Sequence, residues 1–266
     1  MTAPAPWRVQ ALNTATTSTN KIHDDEVARS FGFAGGLVPG VDVYAYLTHV
    51  PVEHWGIAFL ERGVMAARFH RPVYDGDEIT VETAVDDDGA LALTLFDPRG
   101  ETCATASASL PASPPGVPAL DGFEAAPMPV DPPPASADLF AARPQFGSLE
   151  FGFHADHAAS YLHEVRETLP LYVDERVAHP GWLLRSANSV LVANARLGPW
   201  IHVSSNVQHH GLVHDGDEVS TRARVVDDFE RKGHKFVALD VLVIANLVRP
   251  VMRVEHTAIY EPRRSR

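Results

Sequence analysis

The chain is short of cysteine, of long apolar runs and of positive charge, and each shortage removes a class of protein. Cys103 is the one cysteine in 266 residues. An internal disulfide framework and a cysteine-rich metal site are therefore excluded, and the usage suits a reducing compartment. Within Thr102-Cys103-Ala104-Thr105-Ala106 the thiol reads as a small buried strand residue. No stretch approaches the roughly 20 apolar residues of a membrane helix. Met1 to Pro6 lacks the basic-then-apolar order of a signal peptide. A cytoplasmic protein with no membrane partner is expected. Lys and Arg number 22 against 34 Asp and Glu, a formal net charge of −12. That balance argues against a nucleic-acid partner, which needs clustered cations, but not against an anionic small ligand held by a few arginines.

What the chain does have is apolar residues, 45% of the total, enough for one large core or two ordinary ones. It also repeats itself. Asp75-Gly76-Asp77-Glu78 recurs as Asp215-Gly216-Asp217-Glu218, and Pro39-Gly40 ahead of the first copy recurs as Pro180-Gly181 ahead of the second. The two landmarks keep register to within one residue, which aligns Gly40 with Gly181. Each glycine opens a mostly apolar stretch, Val41 to Val52 and Trp182 to Leu197, and alternating strand patterns follow each Asp-Gly-Asp-Glu. One fold unit duplicated in one chain is the reading, with a site at the seam between halves. Nine prolines between Pro111 and Pro134 mark a linker, so the expected division is 1–110, 111–135 and 136–266.

Strands are predicted over Gly63 to Pro72, Glu78 to Val85, Ala90 to Asp97 and Thr102 to Leu110. In the second half they are predicted over Trp200 to Gln208, Glu218 to Val226, Lys235 to Ala245 and Val251 to Glu261. Each half is thus a short leading segment, one apolar helix and an antiparallel meander. The second helix is apolar nearly all round, with Leu183, Leu184, Ala187, Val190, Leu191 and Ala195, so something large must wrap it. The expected fold is α+β, a double hotdog with two helices each wrapped by an antiparallel sheet.

The segment from Ser18 to Gly40 carries the chemistry. His23 precedes a short helical pattern with acidic residues at its start, and a loop with Gly32, Gly35 and Gly36 then opens onto the first core helix at Gly40. Gly35 and Gly36 let a ligand approach the backbone, with Phe33 beside them. An imidazole next to unsatisfied helical N–H groups pairs a proton-transfer group with a stabiliser of negative oxygen.

Asn20, Ile22, His23, Ala28, Gly32, Phe33 and Gly40 fall at matching positions of a motif of the MaoC-like family, which includes the (R)-specific enoyl-CoA hydratases. The resemblance implies a hydratase or dehydratase acting on acyl-CoA or another acyl thioester without a cofactor. His23 transfers the proton, Asn20 orients it, and the Gly40 N–H holds the thioester oxygen. Three positions depart from the family: Ser18 stands where it has the catalytic Asp, Lys21 replaces a Pro, and Pro39 replaces a His. Serine is no carboxylate base. Three readings stay open: His23 works alone or with Asp24 or Asp25, the reaction has become thioester hydrolysis, or the chain binds acyl thioesters without turnover.

Other groups are weaker. His154, Asp156 and His157 form a second cluster that reads either as a His–Asp pair or as surface residues on a helix start. His179 precedes the second helix. The Asp-Gly-Asp-Glu copies read as turns, not metal loops, and no metal site is expected. Arg62, Arg68, Arg71, Arg231, Lys232 and Lys235 are available to phosphates, Arg68 foremost, and Arg231-Lys232-Gly233 reads as a hairpin tip. Arg263 to Arg266 reads as a frayed tail, and a homodimer is allowed for.

Overall fold

Strands with one face buried build a single ten-stranded antiparallel sheet. The computed structural model describes residues 3–263; Arg264 to Arg266, most of the expected tail, lie outside them. The first half contributes β1 (Trp7–Gln10), β2 (Val64–Phe69), β3 (Glu78–Val85), β4 (Leu91–Phe96) and β5 (Thr102–Ser109). The second contributes β6 (Leu149–Gly152), β7 (Ile201–His209), β8 (Glu218–Arg231), β9 (His234–Ala245) and β10 (Arg249–Glu261). The spatial order is β1-β3-β4-β5-β2-β7-β10-β9-β8-β6.

That order corrects the meander. β2 pairs with β5 instead of β3, and β7 with β10 instead of β8. The crossover sets β2 and β7 at the middle, where they pair in the register Ala66↔Asn206 and Arg68↔Ser204. Each half thereby covers an edge of the other, and the sheet runs unbroken between them.

The helices are α1 (Asp25–Ser30), α2 (Gly40–Trp55), α3 (Ile57–Arg62), α4 (Ala137–Ala142), α5 (Ala155–Glu164), α6 (Leu171–Asp174) and α7 (Pro180–Asn194). Every residue of α2 from Val41 to Val52 is buried. On β4, Leu91, Leu93 and Leu95 are buried while their neighbours are less so, the alternation of a strand facing a core. β5 buries Cys103, Ala104, Ala106 and Ala108. Cys103 is thus a strand residue of the core, and burial pushes its thiol up to about 11. α2 and α7 pack against each other inside the curve of the sheet. Asp42 of α2 receives Arg185 of α7 at 2.8 Å, and buried Glu167 accepts from His49 of α2 at 2.8 Å.

Both Asp-Gly-Asp-Glu copies do the same local work. Asp75 Oδ1 accepts from the Asn13 N–H at 2.8 Å, and Asp215 Oδ1 from the Ala155 N–H at 2.9 Å. Asp77 accepts from Tyr74 N at 3.0 Å and Asp217 from His214 N at 2.9 Å. They are turns that pin each half's leading strand, β1 or β6, to the strand that follows. The register of the halves, however, is shifted by one from the expected alignment. Val38 N–H donates to Val73 O and Ala178 N–H to Val213 O, both at 2.9 Å, so Pro180, not Gly181, occupies the place of Gly40.

No helix or strand lies between Ser109 and Ala137, but the Pro-rich stretch is seated on the protein. Phe123 packs with Leu242 and Ile244 on the outer face of β9, and its carbonyl accepts from Arg222 at 2.8 Å. Among the described residues, no helix is long and apolar enough to cross a membrane.

Candidate functional site

A largely apolar cavity of about 550 Å³ opens at the N-terminus of α2. The first half supplies Asn20, His23, Phe33, Pro39, Gly40 and Phe69 to its wall; the second supplies Asn188, Trp200, His202 and Phe236. The cavity therefore lies at the seam between the halves.

Local structure sets His23. Asn20 caps a short 3-10 turn, Lys21–His23, accepting from the Ile22 N–H through its side chain. His23 Nδ1 lies 2.6 Å from the Leu37 carbonyl, so the proton is on Nδ1. Nε2 is left with its lone pair, 3.3 Å from Asn20 Nδ2, which donates to it. Burial lowers the pKa of His23, against the Leu37 hydrogen bond and the charge of Asp42, which raise it. The ring is neutral at neutral pH and Nε2 is a base.

Asn20 does more than orient the ring. Its Oδ1 accepts from Trp200 N–H at 3.1 Å and its Nδ2 donates to Trp200 O at 3.0 Å, which ties the Lys21–His23 turn to the second half. Asn20→Ala strands both Trp200 backbone groups in a buried place. It is expected to lower stability by roughly 2–4 kcal/mol in a denaturant titration, and a change within error would show that water replaces the amide.

The N-terminus of α2 is open. Asp42 and Val43 N–H turn back onto the Pro39 carbonyl at 2.9 and 3.1 Å, and Pro39 brings no side-chain cap. Among the described residues the Gly40 and Val41 N–H groups have no acceptor, and the helix dipole adds its positive end at that point. The matching terminus of α7 is closed, since His179 Nδ1 accepts from the Gly181 N–H at 2.9 Å and Pro180 has no N–H to offer. One of the two helix ends is thus available to a ligand.

Gly35 and Gly36 lie elsewhere than expected. They line a more polar outer cleft with Asp24, Asp25 and Arg29, and of the proposed catalytic residues only His23 borders both spaces. A Cβ on Gly36 would stand 2.1 Å from the His23 carbonyl, so this glycine lets the loop pass close to the His23 backbone. Asp24 caps α1, and Asp25 accepts from the Gly36 N–H at 2.9 Å and pairs with Arg29. Neither lines the cavity, and no carboxylate among the described residues does. Ser18 is also outside it, its Oγ accepting from the Asn20 N–H at 3.1 Å. Ser18→Asp is accordingly expected to leave any hydration rate unchanged; a gain would mean that the turn rearranges to admit the carboxylate.

Arg68 is exposed, and the strand alternation that aims Phe69 into the cavity aims Arg68 away. The cations at the wall are Arg71, paired with Glu101, and Lys232 on the β8–β9 hairpin, joined by His70 and His234. His154, Asp156 and His157 are exposed at the start of α5, the placement of the surface reading, and Asp156 pairs with Arg176 at 3.1 Å. No group of His, Cys, Asp and Glu among the described residues is arranged to hold a metal ion.

His202, Asn188 and Trp200 had no signal in the sequence. They lie far along the chain, and the β2–β7 pairing and the packing of α7 bring them to Gly40. His202 stacks edge-on to Phe69 at 4.7 Å, and His202 Nδ1, Asn188 Oδ1 and Trp200 Nε1 are buried without a hydrogen-bond partner.

No family model and no curated protein matches the chain. Solved structures do. A conserved hypothetical double-hotdog protein of Mycobacterium tuberculosis is 17% identical, with TM-score 0.61 and coverage of 97% of this chain and 96% of that one. A MaoC-like dehydratase is 11% identical, TM-score 0.60, covering 96% and 97%. An acyl-ACP thioesterase from Bacteroides thetaiotaomicron is 13% identical, TM-score 0.50, covering 96% and 97%. At such identities the likeness is one of fold. Over nearly its whole length the chain is an α+β double hotdog, whose structural neighbours include dehydratases and thioesterases.

Proposed function

We propose that the chain is a MaoC-like acyl-thioester hydratase or dehydratase, adding water to, or removing it from, the 2,3 bond of an acyl-CoA or a similar thioester. The observation that supports it is the pairing, on the wall of one apolar cavity, of a neutral His23 whose Nε2 is held only by a 3.3 Å contact from Asn20 with the open N-terminus of α2. In the hydration direction a water replaces the 3.3 Å Asn20 contact at His23 Nε2 and gives that nitrogen a proton, and the hydroxide oxygen bonds to C3. The 2,3 π electrons move toward the thioester oxygen, held by the Gly40 and Val41 N–H groups. The proton on His23 then passes to C2, so one imidazole serves as base and acid and the water is fully accounted for. Lys232 and Arg71 at the wall suit the phosphates of a carrier.

The lack of a carboxylate on the cavity wall favours one second reading, binding without turnover, and the thioesterase neighbours make hydrolysis the other outcome to measure. The assay is hydration of crotonyl-CoA by the full chain beside release of free thiol from butyryl-CoA. Loss of the enoyl absorbance with no thiol supports the hydratase. Thiol from butyryl-CoA transfers the site to hydrolysis, and tight binding with neither change makes it a binding protein.

A further inference from the structure

Ser205 and His256 are buried behind the cavity, and the steps above leave them without a role. They stand in line with His202. Its Nε2 is 2.8 Å from Ser205 Oγ, which is 3.1 Å from His256 Nδ1, and the two rings lie 4.4 Å apart. The outer nitrogens of this line, His202 Nδ1 and His256 Nε2, have no partner. Of the two rings only that of His202 borders the cavity, where its Nδ1 comes 2.8 Å from the place of a Cβ on Gly40. The ring thus occupies the volume that glycine vacates at the first turn of α2, beside the free N–H groups.

One hydroxyl carries one hydrogen, so Ser205 donates to one imidazole and accepts from the other. Burial keeps both rings neutral, with one N–H each, and outweighs the opposing pull of the Ser204 backbone on the His202 ring. Two arrangements follow. When His256 donates through Nδ1–H, Ser205 donates to His202 Nε2 and the proton of His202 sits on Nδ1, facing the cavity. In the reverse order Nδ1 is a lone pair. A ligand oxygen at the helix end is an acceptor and selects the first.

We propose that His202 Nδ1–H is a further hydrogen-bond donor to the thioester oxygen, beside the Gly40 and Val41 N–H groups, with Ser205 and His256 as positioning residues that set its tautomer. This rests on the acyl-thioester reading of the cavity. No proton is transferred by His202: a neutral N–H polarises the carbonyl as negative charge gathers on its oxygen. Neutrality suits the task, because a neutral imidazole does not release its proton to the oxyanion.

The test uses butyryl-CoA labelled with ¹³C at the thioester carbonyl, which has no double bond to hydrate. Binding to the full chain is expected to lower the carbonyl stretching frequency below that of free ligand. His202→Phe is expected to lose part of that shift and to slow crotonyl-CoA hydration about 10²–10³-fold, chiefly in kcat. Ser205→Ala, which keeps the ring but cuts the line, is expected to lose less of both. Ring ¹⁵N shifts of the unmodified protein should show His202 protonated on Nδ1 in the butyryl-CoA complex, a readout that does not depend on any variant folding. An unchanged carbonyl frequency in folded His202→Phe, or an unprotonated Nδ1 in the complex, overturns the proposal while leaving the hydratase reading intact. If the unmodified protein neither binds butyryl-CoA nor shifts its carbonyl, the thioester reading fails and this one with it.

Discussion

Replacing His23 with alanine is expected to slow hydration of crotonyl-CoA by about 10²–10⁴-fold, mostly in kcat, the usual contribution of a positioned acid–base group. The effect should sit near the upper end because no carboxylate shares the wall of the cavity. His23 would carry both proton transfers alone. KM should change little, since the Gly40 and Val41 donors, the apolar wall and the Lys232 rim remain. The cost to stability should be small, about 1 kcal/mol for the bond from Nδ1 to the Leu37 carbonyl. The pH profile of the unmodified protein adds a second check. Nε2 must be unprotonated to start hydration, and burial lowers the His23 pKa below its ordinary 6.5. The hydration rate should therefore hold through neutral pH and fall on the acid side, at a pH below that value. A variant as fast as the unmodified protein would remove His23 from the mechanism.

Acid is expected to destabilise the fold well before the carboxylates titrate. Burial holds His256 down to about 4 and His209 down to about 3, the latter helped by His210 and His179, and His202 lies well below its usual value. In the unfolded chain all three revert to about 6.5. Above that value both states are neutral and the contribution to stability is complete. As pH falls below it the unfolded chain takes up protons that the folded one refuses, so stability is lost from about 6.5 down to the folded values. Each ring loses about 1.4 kcal/mol per pH unit in that window. Three rings together amount to roughly 4–6 kcal/mol by about pH 5, a large part of an ordinary folding free energy. Denaturant midpoints measured across that range should drop steeply, and His209→Leu, which removes one of the rings beside Phe59, should flatten the drop. A midpoint constant from neutral pH to about pH 4.5 would show that water or rearrangement admits protons to the folded rings.

Much of the architecture was legible along the chain because its causes are local. Alternation on β3 and β4 follows from one buried face, the apolar run of α2 from burial on all sides, and the Asp-Gly-Asp-Glu turns from glycine at positive φ, +80° at Gly76 and +86° at Gly216. The repeat announced the duplication for the same reason. The site was legible in part. Asn20, His23 and Gly40 lie in one stretch where the bonds from Ile22 to Asn20 and from His23 to Leu37 are short in sequence, and the structure brings them together in one cavity. Gly35, Gly36 and Arg68 were misplaced because residue type alone does not say which of two spaces a loop faces, or which side of a strand.

The chain by itself determined eight of the ten strands and the two core helices, that there are two copies of one unit, and that the first copy carries an imidazole ahead of a helix. Those features depend on contacts between near neighbours and on the burial of one face. Only the tertiary structure decided the strand order, the one-residue shift that sets Pro180 opposite Gly40, and the closing of the α7 terminus by His179. It alone brought His202, with Ser205 and His256 behind it, to the open end of α2. Pairing of β2 with β7 joins residues more than a hundred positions apart, and nothing in the local pattern of either strand encodes its partner.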